Sequence, residues 1–240
     1  PIRGIAEEFK KYELTPANST LSFHFDSMVH GISGTADHFE GFILIPESLK
    51  PDEFYTETTL EALSLKTGDR NRDAKAHAYS LEADIFPHIT FKSVGFEGLP
   101  YPIKPGKDFN FNLTGILTIK GYAKKVTFPT RVTAKDKSFT VQGNHNVKWD
   151  DFDIHEPKFF NFLSVYDGFT IQLNFELPYK LFKKGKNGFK TVNINPQQIK
   201  QISNEEALLA NMFTEEFKGR CTLLPENYNP IEMKKAVKSS

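Results

Sequence analysis

The sequence predicts an all-β protein, a sandwich or closed barrel of about eight antiparallel strands. Three observations lead there. Apolar and polar residues alternate along most of the first 180 positions, which gives each strand one dry and one wet face. One stretch before residue 180 reads as a helix, too little to cover a flat sheet of that size. Phe is abundant, with 23 residues against one Trp and three Met, and aromatic residues favour strands and bulky interiors.

Taken in order, 11-KYELT-15 and 19-STLSFHF-25 read as strands, with Leu21, Phe23 and Phe25 on one face. The next stretch, 31-GISGTADHFEGFILIP-46, reads as one long strand whose glycines mark a bend or bulge. A strand within 55–67 ends in 62-ALSLKTG-68. The Ala content and charges of 70-RNRDAKAHAYSLEADIF-86 predict a helix that Pro87 limits. Strands resume at 88-HITFKSVGFEG-98 and in the hairpin 109-FNFNLTGILTIKGYAKKVTFPTRV-132. Two more follow, 138-SFTVQGNHNVKW-149 and 169-FTIQLNFELPY-179, joined by a long, partly aromatic connection.

The tail differs in character. Residues 180–190 are basic with interleaved Phe. Ser203 and Glu206 form a capping box, and Leu208, Leu209, Met212, Phe213 and Phe217 make one apolar helical stripe that ends at Gly219. The expected division is therefore a barrel over 1–180 and a basic linker with an amphipathic helix over 181–240. That stripe suits packing on its own barrel, and a homodimer contact is the rarer use.

The totals exclude some functions. Lys plus Arg and Asp plus Glu both number 30, so the chain lacks the basic excess of a general nucleic-acid binder. No apolar run approaches the ~20 residues of a membrane-spanning helix. Cys221 is the single cysteine, which rules out an internal disulfide framework and a cysteine-based zinc site. His24, His30 and His38, and the run 150-DDFDIHE-156, contain metal-capable side chains but no complete ligand spacing.

The order of short motifs resembles the YceI-like family. These motifs are Ser64-Leu65-x-Thr67-Gly68, Arg72-Asp73, and Phe86-Pro87 before Ile89-Thr90-Phe91-x-Ser93. Gly115-x-Leu117-Thr118-Ile119-x-Gly121 and Lys124-Lys125-Val126 follow, with His30 ahead of the first glycine-rich turn. The likeness spans roughly residues 11–180, and Thr35-Ala36 after Gly34 departs from the Gly-x-Phe of many relatives. The resemblance implies a lipocalin-like eight-stranded antiparallel barrel with one short helix. It also implies a tunnel that holds an isoprenoid, a quinone-type lipid or another long-chain amphiphile. It further implies a periplasmic or secreted location and no cofactor beyond the lipid itself.

Strand parity nominates the tunnel lining: Phe23, Phe25, Phe91, Phe111, Leu113, Leu117, Val126, Phe128, Phe139, Val141, Phe169, Ile171, Leu173 and Phe175. Trp149 and His145 share that face, and His145 is the candidate for a head-group contact. Gly115 and Gly143 lie on it too, either widening the bore or easing a strand bend. Arg72 and Asp73 are expected to brace the helix, and the lysines of 180–190 could touch anionic lipid at the membrane periphery. Two other readings fit the same residues. One is an enzyme using His145 or the 150–156 carboxylates on a greasy substrate; the other is an interaction module with a filled barrel.

Overall fold

The computed structural model describes residues 7–28, 30–154 and 165–195, with positions 197, 201 and 204. Apart from position 204, the expected C-terminal helix at 203–219 lies outside the described residues, as does the end of the carboxylate run. In chain order the strands are β1 (Glu7–Leu14), β2 (Ser19–Asp26), β3 (Gly31–Ala36), β4 (Phe39–Pro46), β5 (Tyr55–Glu61) and β6 (Leu65–Lys66). After helix α1 (Arg70–Lys75) come β7 (His88–Glu97), β8 (Phe109–Ile119), β9 (Tyr122–Ala134), β10 (Ser138–Val147), β11 (Phe169–Pro178) and β12 (Lys190–Ile194). They form one antiparallel sheet in the order β12-β1-β4-β5-β7-β8-β9-β10-β11-β2-β3-β6.

Twelve strands stand where about eight were expected, for three local reasons. The long strand foreseen over 31–46 is two strands, β3 and β4, turning at Asp37, whose N–H donates to the Ser64 carbonyl. The stretch 55–67 is likewise broken by a tight helical turn at Ala62–Ser64. Beyond residue 180, in the stretch expected as a linker, β12 pairs with β1 from Glu7↔Ile194 to Lys11↔Lys190.

The sheet curls until strands distant in its order meet. Tyr12 Oη on β1 donates to the Glu176 carbonyl on β11 at 3.1 Å. Buried Lys10 donates to the carbonyls of Leu181 at 3.0 Å and Lys183 at 2.7 Å, just past β11. One end of the curl is nearly filled: Leu14, Ile45, Val132, Phe139, Leu177 and Leu181 come from five strands and the turn after β11 and form one apolar cluster. A second cluster, including Phe25, Leu117, Phe128, Trp149 and Phe152, surrounds the other end.

Two irregularities position later features. The β7–β8 register shifts between Ser93 and Gly95, a bulge. Buried Ser93 turns its Oγ to the Thr56 N–H at 2.8 Å, supplying an acceptor where the β5–β7 ladder has ended at Glu57↔Lys92. The β9–β10 ladder runs from Phe139↔Ala134 to Gly143↔Thr130 and stops beside Pro129, which has no N–H to donate.

The helix is shorter than its composition suggests. Asp69 caps α1, and after Lys75 the chain widens to a π-helical turn over Ala76–Ser80, with the Leu81 N–H donating five residues back to Ala76. Glu82, with φ of 46°, turns the chain away before Pro87 is reached.

An apolar cavity beneath a helical roof

The unfilled end of the curled sheet encloses a cavity of about 540 Å³, inside the roughly 300–1,000 Å³ range of small-molecule sites. Its walls are the inward faces expected from alternation. Phe23 and Phe25 of β2, Phe91 of β7, Leu113 and Leu117 of β8, and Phe128 of β9 all face it. Phe169, Ile171, Leu173 and Phe175 line it along β11, and Trp149 closes one side with its ring 4.7 Å from Phe169. The Trp149 indole N–H donates to the Tyr166 carbonyl at 2.8 Å, so only its hydrocarbon face is offered inward.

Other nominated residues sit elsewhere. Phe111, Phe139 and Val141 surround a smaller void of about 50 Å³ at the packed end, and Val126 is buried in the cluster around the cavity. His145 lines neither space. Its Nδ1–H donates to the Thr127 carbonyl at 2.8 Å, across the part of β9 and β10 where the backbone ladder has ended. The ring thus replaces a backbone donor, which is why inward parity does not bring it to the head-group position expected of it.

The glycines work differently from a simple widening of the bore. A Cβ on Gly115 would stand 2.3 Å from Phe91 Cζ and 2.6 Å from the Lys92 carbonyl. A Cβ on Gly34 would stand 2.3 Å from Phe23 Cζ and 2.6 Å from the Lys66 carbonyl. Each glycine is a bare shelf on which a neighbouring strand's phenyl ring lies down. The rings stay against the wall and the space beyond them stays open. Gly143 is looser, with Leu173 Cδ1 3.7 Å from the corresponding point.

Parity could not find the roof. Leu65, Thr67, Arg72, Lys75, His77, Tyr79 and Leu81 also line the cavity and bring its charged side chains to it. Here the brace expected of Arg72 and Asp73 is present. Arg72 donates from Nε to Thr67 Oγ1 at 2.7 Å and from Nη2 to the Thr67 carbonyl at 3.1 Å. Asp73 Oδ1 accepts from the Thr67 N–H at 2.9 Å and from its hydroxyl. His77 Nε2–H donates to the Leu65 carbonyl at 2.8 Å. Strand β6 and α1 therefore hold each other, and the motif Thr67…Arg72-Asp73 is the clasp. Ala36, in the position of the departure noted in the sequence, also lines the cavity, where a larger residue would narrow it.

The backbone N–H of Arg72, then that of Asn71, holds the Asp69 carboxyl below its ordinary range. A depressed carboxylate stabilises the fold at pH above its unfolded value and loses that contribution as pH falls through its folded value. Asp69→Ala should speed amide exchange across 72–80 at neutral pH, relative to the parent at the same pH. The difference should shrink as the medium is acidified below the ordinary carboxylate range. A difference that persists undiminished in acid would assign the cap's contribution to something other than the carboxylate charge.

Other sequence candidates are engaged elsewhere. His24 reaches Ser33 at 2.9 Å and Asp26 at 3.2 Å on the outer face. Asn18 takes up the Thr15 N–H and donates to the Glu13 carbonyl, tying a turn. Lys186 and Lys190 of the basic stretch pair with Glu8 and Glu13 of β1. Among the described residues no group of three or more His, Cys, Asp or Glu is placed to hold a metal ion, and no helix is long and apolar enough to cross a membrane.

Comparison with known proteins agrees with this architecture. The sequence profile of the YceI-like domain matches residues 12–177. Among solved structures, BcnA from Burkholderia cenocepacia superposes with a TM-score of 0.56 at 21% identity, over 66% of this chain and 95% of that one. A polyisoprenoid-binding domain from Saccharophagus degradans superposes with a TM-score of 0.55 at 13% identity, over 71% of this chain and 99% of that one. No curated protein sequence matches significantly.

Proposed function

The chain belongs to the YceI-like family, and on that footing we propose that it is a non-enzymatic carrier or store for a long isoprenoid or similar amphiphilic lipid. The observation that carries the reading is the cavity: about 540 Å³ of unfilled space, walled by hydrocarbon and collared by the polar residues of 67–80. The solved domain from Saccharophagus degradans, described as polyisoprenoid-binding, supports the ligand class.

The energetics need no reacting group. About fifteen methylenes buried at ~0.8 kcal/mol each release roughly 12 kcal/mol. After about 4 kcal/mol for lost rigid-body freedom, the remainder corresponds to a micromolar Kd. The tail lies among Phe23, Phe91, Phe128 and Phe169, and the head group rests at the roof beside Lys75 and Tyr79. An exported protein ferrying such a lipid between membranes fits this chemistry.

Native mass spectrometry of the purified protein should detect a co-purified lipid that organic extraction removes. A protein that is empty, and that stays empty when offered isoprenoid quinones and fatty-chain amphiphiles, refutes the proposal.

A further inference from the structure

The cavity ends on a partition one side chain thick. Thr56, Leu113, Leu173 and Phe175 border both the 540 Å³ cavity and the 50 Å³ void beyond it. Thr56 and Leu113 are buried, while Leu173 and Phe175 are only half-buried. The void continues the same bore, because on β8 it is bordered by Phe109, Phe111 and Leu113, and the cavity by Leu113, Leu117 and Ile119.

We propose that this partition is the floor that sets the longest lipid tail the protein accepts. The inference rests on the carrier reading above and adds to it a length rule and the residues that enforce it. Along β11 the cavity runs from Phe169 to Phe175. Six strand rises of ~3.3 Å make that about 20 Å, or roughly 15 Å along the axis of a barrel with ordinary strand tilt. Past the floor, Leu177 on β11 borders the void, so the bore would lengthen by about 7 Å of strand if the floor were opened.

Leu173 is the residue through which to open it. It pairs directly with Gly143, and its Cδ1 hangs over that bare position. Leu173→Ala therefore clears two wall positions at once and joins the void to the cavity, whereas Leu173→Phe raises the floor.

The test displaces an environment-sensitive fluorophore from the full chain with n-alkanols and isoprenoid alcohols of graded length. For the parent, each added carbon should tighten binding about fourfold until the floor is met, after which the gain stops. In Leu173→Ala that limit should move to longer tails, giving at least a tenfold gain for tails two or more carbons past the parental limit. In Leu173→Phe it should move to shorter ones. If all three proteins bind tails and share one limit, the floor is not the ruler and the inference is overturned while the carrier reading stands. If the parent binds no tail of any length, the carrier reading fails and the inference falls with it. Should Leu173→Ala not fold, Phe175→Leu opens the same partition and should lengthen the limit, while Leu173→Phe should still shorten it; an unmoved limit in both overturns the inference.

Discussion

Gly115→Ala should cost the protein more than tenfold in lipid affinity and about 1–3 kcal/mol in stability, the usual range for overpacking an interior. The added methyl would fall 2.3 Å from Phe91 Cζ and 2.4 Å from Cε2. The ring has to leave its shelf. Phe128 stands edge-on 5.5 Å away on one side, so the free direction is the cavity that Phe91 already lines. A phenyl ring swung into the bore takes the place of at least two methylenes of ligand, and ~0.8 kcal/mol for each makes a factor above ten. Part of the stability loss has a separate origin, because the same methyl stands 2.6 Å from the Lys92 carbonyl, a backbone atom that cannot swing away. The double variant Gly115→Ala, Phe91→Leu should thus regain affinity but recover stability only partly. Titration with a tail of fixed length and urea unfolding would measure both. Affinity that stays at the parental level in Gly115→Ala would show that the ring does not guard the bore.

Lys120→Ala should lower unfolding stability by about 3 kcal/mol, from a lost buried stem and lost charge-assisted hydrogen bonds. Lys120 and Gly121, with φ of 51° and 78°, form the two-residue turn between β8 and β9. The Lys120 side chain is 2% exposed and its Nζ reaches the Asp153 carbonyl, Glu82 Oε1 at 2.9 Å and Asp153 Oδ2 at 3.7 Å. One cation thereby ties the roof at Glu82 and the turn holding Trp149 and Ile154 to the hairpin. The two acids are 36% and 58% exposed, so water can solvate them once the lysine is gone. For that reason the loss should be nearer a cavity-and-hydrogen-bond cost than the 3–5 kcal/mol of a stranded buried charge. Lys120→Met keeps the stem and should lose about half as much. Urea midpoints of the three proteins decide this; equal midpoints would mean the tie contributes nothing.

Much of the curled sheet was legible in the sequence because β8, β9, β10 and β11 alternate cleanly over ten or more residues each. Their inward residues surround the two spaces, and the hairpin read over 109–132 turns at Lys120-Gly121. Short elements were not legible. β6 has two residues and β12 has five, too few for a period to emerge, and the glycines of 31–46 looked like a bend although two of them seat His24 and Phe23. His145 misled because parity gives a direction and not a partner; the missing N–H of Pro129 was the clue to its use. The roof was hidden for another reason, since a helix lying over an opening has no strand parity to read. The family motifs also look different in three dimensions. Thr67 meets Arg72 and Asp73, Phe86 sits over Gly121, and Ser93 serves Thr56, so these recurring residues fasten the roof, the hairpin turn and the bulge, while Ile89, Phe91, Leu117 and Ile119 of the same motifs line the cavity wall.

Strand β2 finds its neighbour β11 across a great length of chain, as when Ser22 donates to Gln172 150 residues away. Contacts of that separation make folding slow, because a long loop must close before they form. During synthesis the first two inward phenylalanines, Phe23 and Phe25, therefore emerge long before the strand that shelters them. The sheet can close on β2 only after residue 178 has cleared the ribosome, so these two rings stay without their β11 neighbours for most of the chain's synthesis.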